Sequence, residues 1–469
     1  CSRWPTWNSI VEKLADKYDL VLDQPVGTER ADYLVWTGLD VPGTYADPTK
    51  MPDVEHYCIV VLLLEGAVTT AITANWDGLI EKALAELDQN PEAAVRVIVK
   101  QEDFRDKTSP KELIKFHGCA VLAAAKPDEY RDFLIARNPQ VQRFKVDYPH
   151  TAAELEQRFS NHDALMIGLS TQDSNMHQMF STAADNLKRQ WEPKRPAVVL
   201  SEQTLRPYHR TVLTNTYSNY VPENRQAIED SAVLGAFAKP VLVSLVLWTL
   251  TEKFVELLDH APLPGLSVGE RDSLKETLRL VRDEAAVKAE GGTLPFMKAL
   301  IAAVSRVTHV FRTGATPTPD GMYEPLSARP ISQAVNEQYF PTEALGGLAV
   351  VLTLLGHGMK VDGWVVRPGT HNSLADGVLQ VHATNRTVRL FIVKDAEAWA
   401  TLTASEDYDE DDPSVVVLYC GTAPIETREP AGRRTGKSGA ALLRIADVCE
   451  DASCTDDLYA ELKQVGGFV

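Results

Sequence analysis

Ile72-Thr73-Ala74-Asn75-Trp76-Asp77 is the stretch whose reading decides the fold of this chain. Ala71 to Thr73 is short, β-branched and apolar, as a buried strand requires. Trp76-Asp77-Gly78-Leu79-Ile80-Glu81-Lys82-Ala83-Leu84 then opens an amphipathic period with apolar residues at 79, 80, 83 and 84. A strand therefore passes into a helix, with Asn75 and Asp77 on the turn between them. In an open α/β sheet, ligands bind outside the carboxyl ends of the strands, so polar residues on such a turn stand where chemistry is usually placed. About forty residues on, Glu112-Leu113-Ile114-Lys115-Phe116 is again strand-like. His117-Gly118 ends it where glycine allows close backbone approach. Either segment alone reads best as helix caps at Asn75 and Asp77 and a satisfied buried histidine at 117. Both in this order reverse that reading, because they supply an amide, a carboxylate and an imidazole at two strand ends.

Thr73-Ala74-Asn75-Trp76-Asp77 resembles the sirtuin Thr-Gln-Asn-x-Asp motif, and Lys115-Phe116-His117-Gly118 resembles the His-Gly motif that carries the sirtuin catalytic histidine. Ala164-Leu165-Met166-Ile167-Gly168-Leu169-Ser170-Thr171-Gln172-Asp173 is similar to the later strand and turn whose Gly-x-Ser contacts the nucleotide. Pro5-Thr6-Trp7 resembles part of the Gly-x-Pro-x-Trp that follows the family's first glycine loop, and Lys126 to Leu134 resembles the Asp-Tyr helix after the histidine in bacterial members. The resemblance covers roughly residues 1 to 215.

The departures carry as much meaning. Sirtuins begin with a Gly-Ala-Gly-x-Ser loop that cradles the NAD pyrophosphate on backbone N–H groups at a helix N-terminus. The chain as numbered starts at Cys1, where that loop should just have ended, so a preceding segment is expected. The family glutamine is Ala74 here, which is compatible with the defence-associated branch. Sirtuin deacylases carry a four-cysteine zinc module after the histidine. Between His117 and Gly168 the only cysteine is Cys119, and the sequence contains no C-x-x-C. No zinc is expected, and without that module the remaining activity would be attack on NAD itself.

Bulk properties agree with an enzyme of a reducing, cytoplasmic compartment. The 469 residues allow two or three domains, and 44% hydrophobic residues are ordinary for a globular protein. Cysteines 1, 58, 119, 420, 449 and 454 show no disulfide framework. The longest apolar run, Pro240 to Leu250, falls short of the roughly 20 residues a bilayer span needs and reads as a buried helix. With 47 basic and 65 acidic residues the net charge is −18, which disfavours direct nucleic-acid binding.

The expected fold is α/β: a Rossmann-like, parallel-sheet, sirtuin-like domain over residues 1–231, a helical region over 232–360, and a strand-containing α+β domain over 361–469 for regulation or assembly. Pro196 to Ser201 reads as a further parallel strand and Thr211 to Thr214 as the last one. Helices follow over Ala232 to Leu258, after Ser267-x-x-Glu270 with its capping-box spacing, over Pro295 to Arg312, and over Thr342 to His357. Short strands are read at Gly363 to Arg367, Gly377 to His382, Thr387 to Val393 and Val415 to Tyr419. Gly432-Arg433-Arg434-Thr435-Gly436-Lys437-Ser438 resembles a phosphate loop but has one residue too few between its glycines. Asp376 with Phe391-Ile392-Val393-Lys394 echoes a nuclease core, yet Ile392 stands where a second acid is required. The acidic run Glu406 to Asp412 reads as a solvated loop rather than a calcium site.

The resemblance implies an NAD glycohydrolase in which Asn75 orients the water or the ribose hydroxyls, Asp77 positions the carboxamide and His117 is the general base. An unperturbed imidazole titrates at about pH 6.5, so its neutral form is available at physiological pH. Thr73, Gly168, Ser170 and Ser201 would line the nucleotide site, and Trp7 would pack at its entrance. Bacterial relatives of this type are commonly antiviral effectors that deplete NAD, so a homo-oligomer, a HerA-type ATPase partner and no membrane are expected. A non-catalytic NAD sensor or scaffold is the competing reading, disfavoured by the joint presence of Asn75, Asp77 and His117. An ADP-ribosyl or acyl-lysine transfer enzyme is disfavoured by the missing zinc cysteines.

Overall fold

The computed structural model describes residues 17–468 except 89, 170–173, 188, 194–195, 317–321, 371–372, 422–438 and 451. Trp7, Ser170, and the glycine-containing run 432–438 with its cluster of basic residues lie outside the described residues. The chain divides into two compact units, one of residues 1–56, 69–82 and 90–242, the other of 57–68, 83–89 and 243–469.

The first unit is built on parallel strands. β1 (Thr70–Thr73), β2 (Arg96–Ile98) and β3 (Glu112–Lys115) form a sheet in the order β1-β3-β2, and β4 (Ala164–Ile167) pairs with β5 (Val198–Ser201). Parallel neighbours need crossover connections, and helices supply them. These include Leu79–Leu87 after β1 and Ser174–Leu187 between β4 and β5, while Pro149–Asn161, ahead of β4, buries Ala152 and Leu155. Ile98, Ile114, Phe116, Met166 and Leu200 share one core with Phe144, Phe180 and Val212, so both sheets pack into a common interior. β2 went unread in the sequence because Arg96 opens it. Its guanidinium is buried against Glu112, and Glu112 also accepts from Arg158 Nη2 at 2.5 Å, so the charges entering the sheet are paired.

Two expectations are corrected here. Thr211 to Thr214 lies in the helix Pro207–Thr216, not in a strand. Pro207 sits at its first turn, where a missing N–H costs nothing, and Thr211 and Thr214 donate their hydroxyls to the carbonyls of Pro207 and Arg210 four residues back. The pairing that such a strand would have given β5 comes instead from Val233. The Leu200 amide donates to the Ala232 carbonyl at 2.7 Å and the Leu234 amide to the Leu200 carbonyl at 3.1 Å. The helical stretch consequently starts at Ala238 rather than Ala232.

The second unit carries the long helices and a mixed sheet, as the α/β reading requires. Val268–Lys288, Thr293–Thr313 and Thr342–Val361 are helices, and most of Ala238–Leu257 belongs here too. Thr293–Thr313 and Thr342–Val361 have the length and apolarity of bilayer spans, but 67% of the apolar window of the second is buried within the protein. Ser267 caps its helix by accepting from the Glu270 amide at 3.3 Å, whereas the Glu270 carboxylate goes to the Thr455 amide at 3.1 Å. Only half of the expected capping box therefore forms.

β6 (Val365–Pro368), β7 (Leu379–His382) and β8 (Thr387–Val393) run antiparallel in turn. β9 (Val415–Tyr419) and β10 (Ala441–Arg444) then extend the sheet parallel to β8. β10 was not anticipated. Ahead of β7, Asp376 accepts from the Thr370 hydroxyl at 2.5 Å, Ile392 is wholly buried, and Lys394 pairs with Asp395 at 3.3 Å. The acidic loop is less solvated than expected. Asp407 accepts from the Leu374 amide at 2.7 Å and Asp412 from Arg389 Nη2 at 2.5 Å, which turns part of the loop into a strap across the sheet end.

Candidate active site

Parallel register pairs Thr73 with Lys115 as the last residues of β1 and β3. Asn75 and His117 each lie two residues beyond that pair, at the carboxyl ends of adjacent strands, which is where an open α/β sheet presents ligand-binding groups. The turn after β1 is fixed from inside: Thr73 Oγ1 accepts the Asn75 amide at 3.0 Å and Asp77 Oδ1 accepts the Leu79 amide at 3.1 Å. Asp77 thus caps the helix Leu79–Leu87, so the plain structural role of this carboxylate is real. Asn75 is exposed, and its side-chain amide makes no hydrogen bond among the described residues.

His117 is 4% exposed. Its ring lies against Phe116, with centroids 4.2 Å apart, and at 6.4 Å from Phe144, while its carbonyl accepts the Ile135 amide at 3.0 Å. Apolar walls of this kind exclude water from one side of the imidazole. Gly118 has φ +96°, and a Cβ there would stand 2.5 Å from the Phe133 carbonyl oxygen. Only glycine lets the chain turn directly behind the histidine.

Ion pairs and aromatic contacts hold the segments that follow the histidine. Arg131 makes a two-point ion pair with Asp32, at 2.6 and 3.1 Å, and lies 4.6 Å over the Trp36 ring. Trp76 packs edge-on against Tyr45 at 5.3 Å, in a small apolar cluster with Val35, Val41, Ala120 and Leu134. Among the described residues, no group of three or more His, Cys, Asp or Glu side chains could hold a metal ion.

Thr73, Asn75, Asp77 and His117 are therefore brought together. Gly168 stands at the end of β4 with φ +61° and open space around its missing Cβ. Ser201 closes β5 but is 1% exposed, and its hydroxyl donates to the Ala236 carbonyl at 2.9 Å. The sequence reading passed over Lys115 and Glu81. The signal was present: Lys115 follows Leu113-Ile114 within a strand all four of whose residues are buried.

Residues 69–221 match the family model described as SIR2-like domain, about a third of the chain. That span contains Thr73, Asn75, Asp77, His117, Gly168 and Ser201 and leaves out Trp7. No curated protein and no solved structure matches the chain. SIR2-like domains use NAD, so the matched region carries a sirtuin-like domain that fits an NAD-related activity.

Proposed function

We propose that the sirtuin-like domain cleaves the nicotinamide–ribose bond of NAD with water, giving nicotinamide and ADP-ribose. The observation that carries this reading is the placement of Asn75 and His117, an exposed amide and a shielded imidazole, side by side beyond the Thr73–Lys115 pair. As the glycosidic bond breaks, its electron pair passes to the pyridinium nitrogen and leaves oxocarbenium character at the ribose C1′. Water oxygen then bonds to C1′ and a proton is released. Asn75, with both amide groups available, can orient that water or the ribose hydroxyls. Neutral His117 can take the proton from water or a ribose hydroxyl. Asp77 keeps one carboxylate oxygen on the Leu79 amide and has a second with which to position the carboxamide.

A hydrolase that drains NAD must be restrained, and the second unit gives the chain material for that. We place the protein among cytoplasmic antiviral effectors that deplete NAD when triggered, acting as a homo-oligomer with a HerA-type ATPase as partner. The test is NAD consumption by the full-length protein, alone and in lysate from infected cells, beside Asn75→Ala. Equal amounts of nicotinamide and ADP-ribose that vanish in the variant are expected. NAD bound but never consumed in either setting would replace this reading with the sensor or scaffold.

A further inference from the structure

The carbonyls of Trp76 and Asp77, the two residues after Asn75, are both taken up by groups that flank His117. The Ala120 amide, three residues after the histidine, donates to the Trp76 carbonyl at 2.8 Å. The Lys115 ammonium, two residues before it, donates to the Asp77 carbonyl and also to Glu81 Oε1 at 2.7 Å. Lys115 is 1% exposed, and Glu81 lies in the first turn of the helix that Asp77 caps.

A cation buried at the end of a strand is costly, because desolvation of an ammonium is repaid only by close and complete pairing. A leucine in that position would pack on the face that Leu113 shares at no such cost. Burial pushes the Lys115 ammonium toward deprotonation, and the Glu81 carboxylate and the Cys119 thiol more than restore it, so the charged form persists. The ammonium thus joins three things that the sheet alone leaves independent: the β3 end, the turn after β1, and the first turn of the following helix.

We propose that Lys115 is a positioning residue, which through the Asp77 carbonyl and Glu81 holds the Asn75 turn at a fixed separation from His117. This rests on the hydrolase reading for its catalytic consequence, though not for its structural one. Misplacement of a reacting group by about 1 Å can cost on the order of 100-fold in rate while binding is kept.

The experiment uses the full-length protein with Lys115→Met, Lys115→Arg and Glu81→Gln. Three quantities are measured: NAD affinity by calorimetry, kcat, and amide exchange over residues 74–79 compared with β4 and β5. For Lys115→Met the expected result is unchanged affinity, kcat lower by roughly 10- to 100-fold, and faster exchange confined to 74–79. Glu81→Gln gives a smaller change in the same direction, and Lys115→Arg recovers part of the loss. Wild-type kcat and unchanged exchange at 74–79 in Lys115→Met would overturn the proposal, as would exchange that quickens equally in β4 and β5. Should Lys115→Met not fold, the arginine and glutamine variants decide by the same split between affinity and kcat. If the unaltered protein consumes no NAD, the hydrolase reading fails, and exchange at 74–79 still judges Lys115.

Discussion

The Ala120 amide donates to the Trp76 carbonyl at 2.8 Å, and this one bond joins the turn that carries Asn75 to the turn that carries His117. Two adjacent strands place their ends side by side, but a strand end is free to swing unless something crosses between the loops. Here the backbone makes one crossing, and the Lys115 ammonium makes a second by donating to the Asp77 carbonyl.

Asn75→Ala removes an exposed side chain with no bond to the rest of the described protein, so the unfolding midpoint should not move. NAD turnover should fall by roughly 100-fold or more in Asn75→Ala and in His117→Ala, the range a lost acid–base or orienting group commands. Chromatographic product analysis, with melting curves alongside, checks both. Normal turnover in two well-folded variants would refute the assigned roles.

Gly118→Ala should destabilise the first unit by about 1–3 kcal/mol, because it forces a positive φ on an alanine and drives Cβ against the Phe133 carbonyl at 2.5 Å. Urea denaturation measures this. A midpoint equal to wild type would show that the loop behind His117 yields easily.

Glu229 predicts an acid-sensitive contribution. Hydrogen bonds from Tyr220, at 2.6 Å, and Arg210 hold its carboxyl below the ordinary value of 4.5, against the opposing effect of burial. The unfolded chain therefore binds the proton first, so this stabilisation is complete above that value and drains away as pH falls through the folded pKa. Denaturation series from pH 6 down to about pH 3 should show a shallower acid loss in Glu229→Gln than in wild type. Parallel curves would exclude the linkage.

A buried knot lies in the second unit. Glu65 is 0% exposed; Lys253 Nζ meets its Oε2 at 2.5 Å, and the Tyr323 hydroxyl and Leu326 amide donate to its Oε1 at 2.6 and 3.1 Å. Lys253→Met strands the carboxylate and should cost about 3–5 kcal/mol. Adding Glu65→Leu should recover part of that, and only part, since the Tyr323 and Leu326 donors lose their acceptor. Additive losses in the double variant would contradict the pairing.

Strand ends and their polar turns were legible at β1 and β3 because local signals coincide there: β-branched residues, a helical period starting on cue, and glycine after histidine. Elsewhere tertiary context overrode the local pattern. Thr211 to Thr214 has strand-like composition, yet Pro207 starts a helix and the hydroxyls bond back along it, while Val233 takes the sheet edge. Arg96 hid β2, since a strand that opens on a guanidinium looks exposed until Glu112 is seen beside it.

By itself the sequence determined the α/β class and the positions of Asn75, Asp77 and His117 on turns. These depend on periodicity and on residue chemistry, which act over a few neighbours. Only the tertiary structure decided that Thr73 and Lys115 are register partners, that the Ser201 hydroxyl is committed to Ala236, and that Lys115 reaches the Asn75 turn. Each of those joins residues through strand pairing or burial, and the free energy of such a contact is defined only once distant segments have excluded water between them.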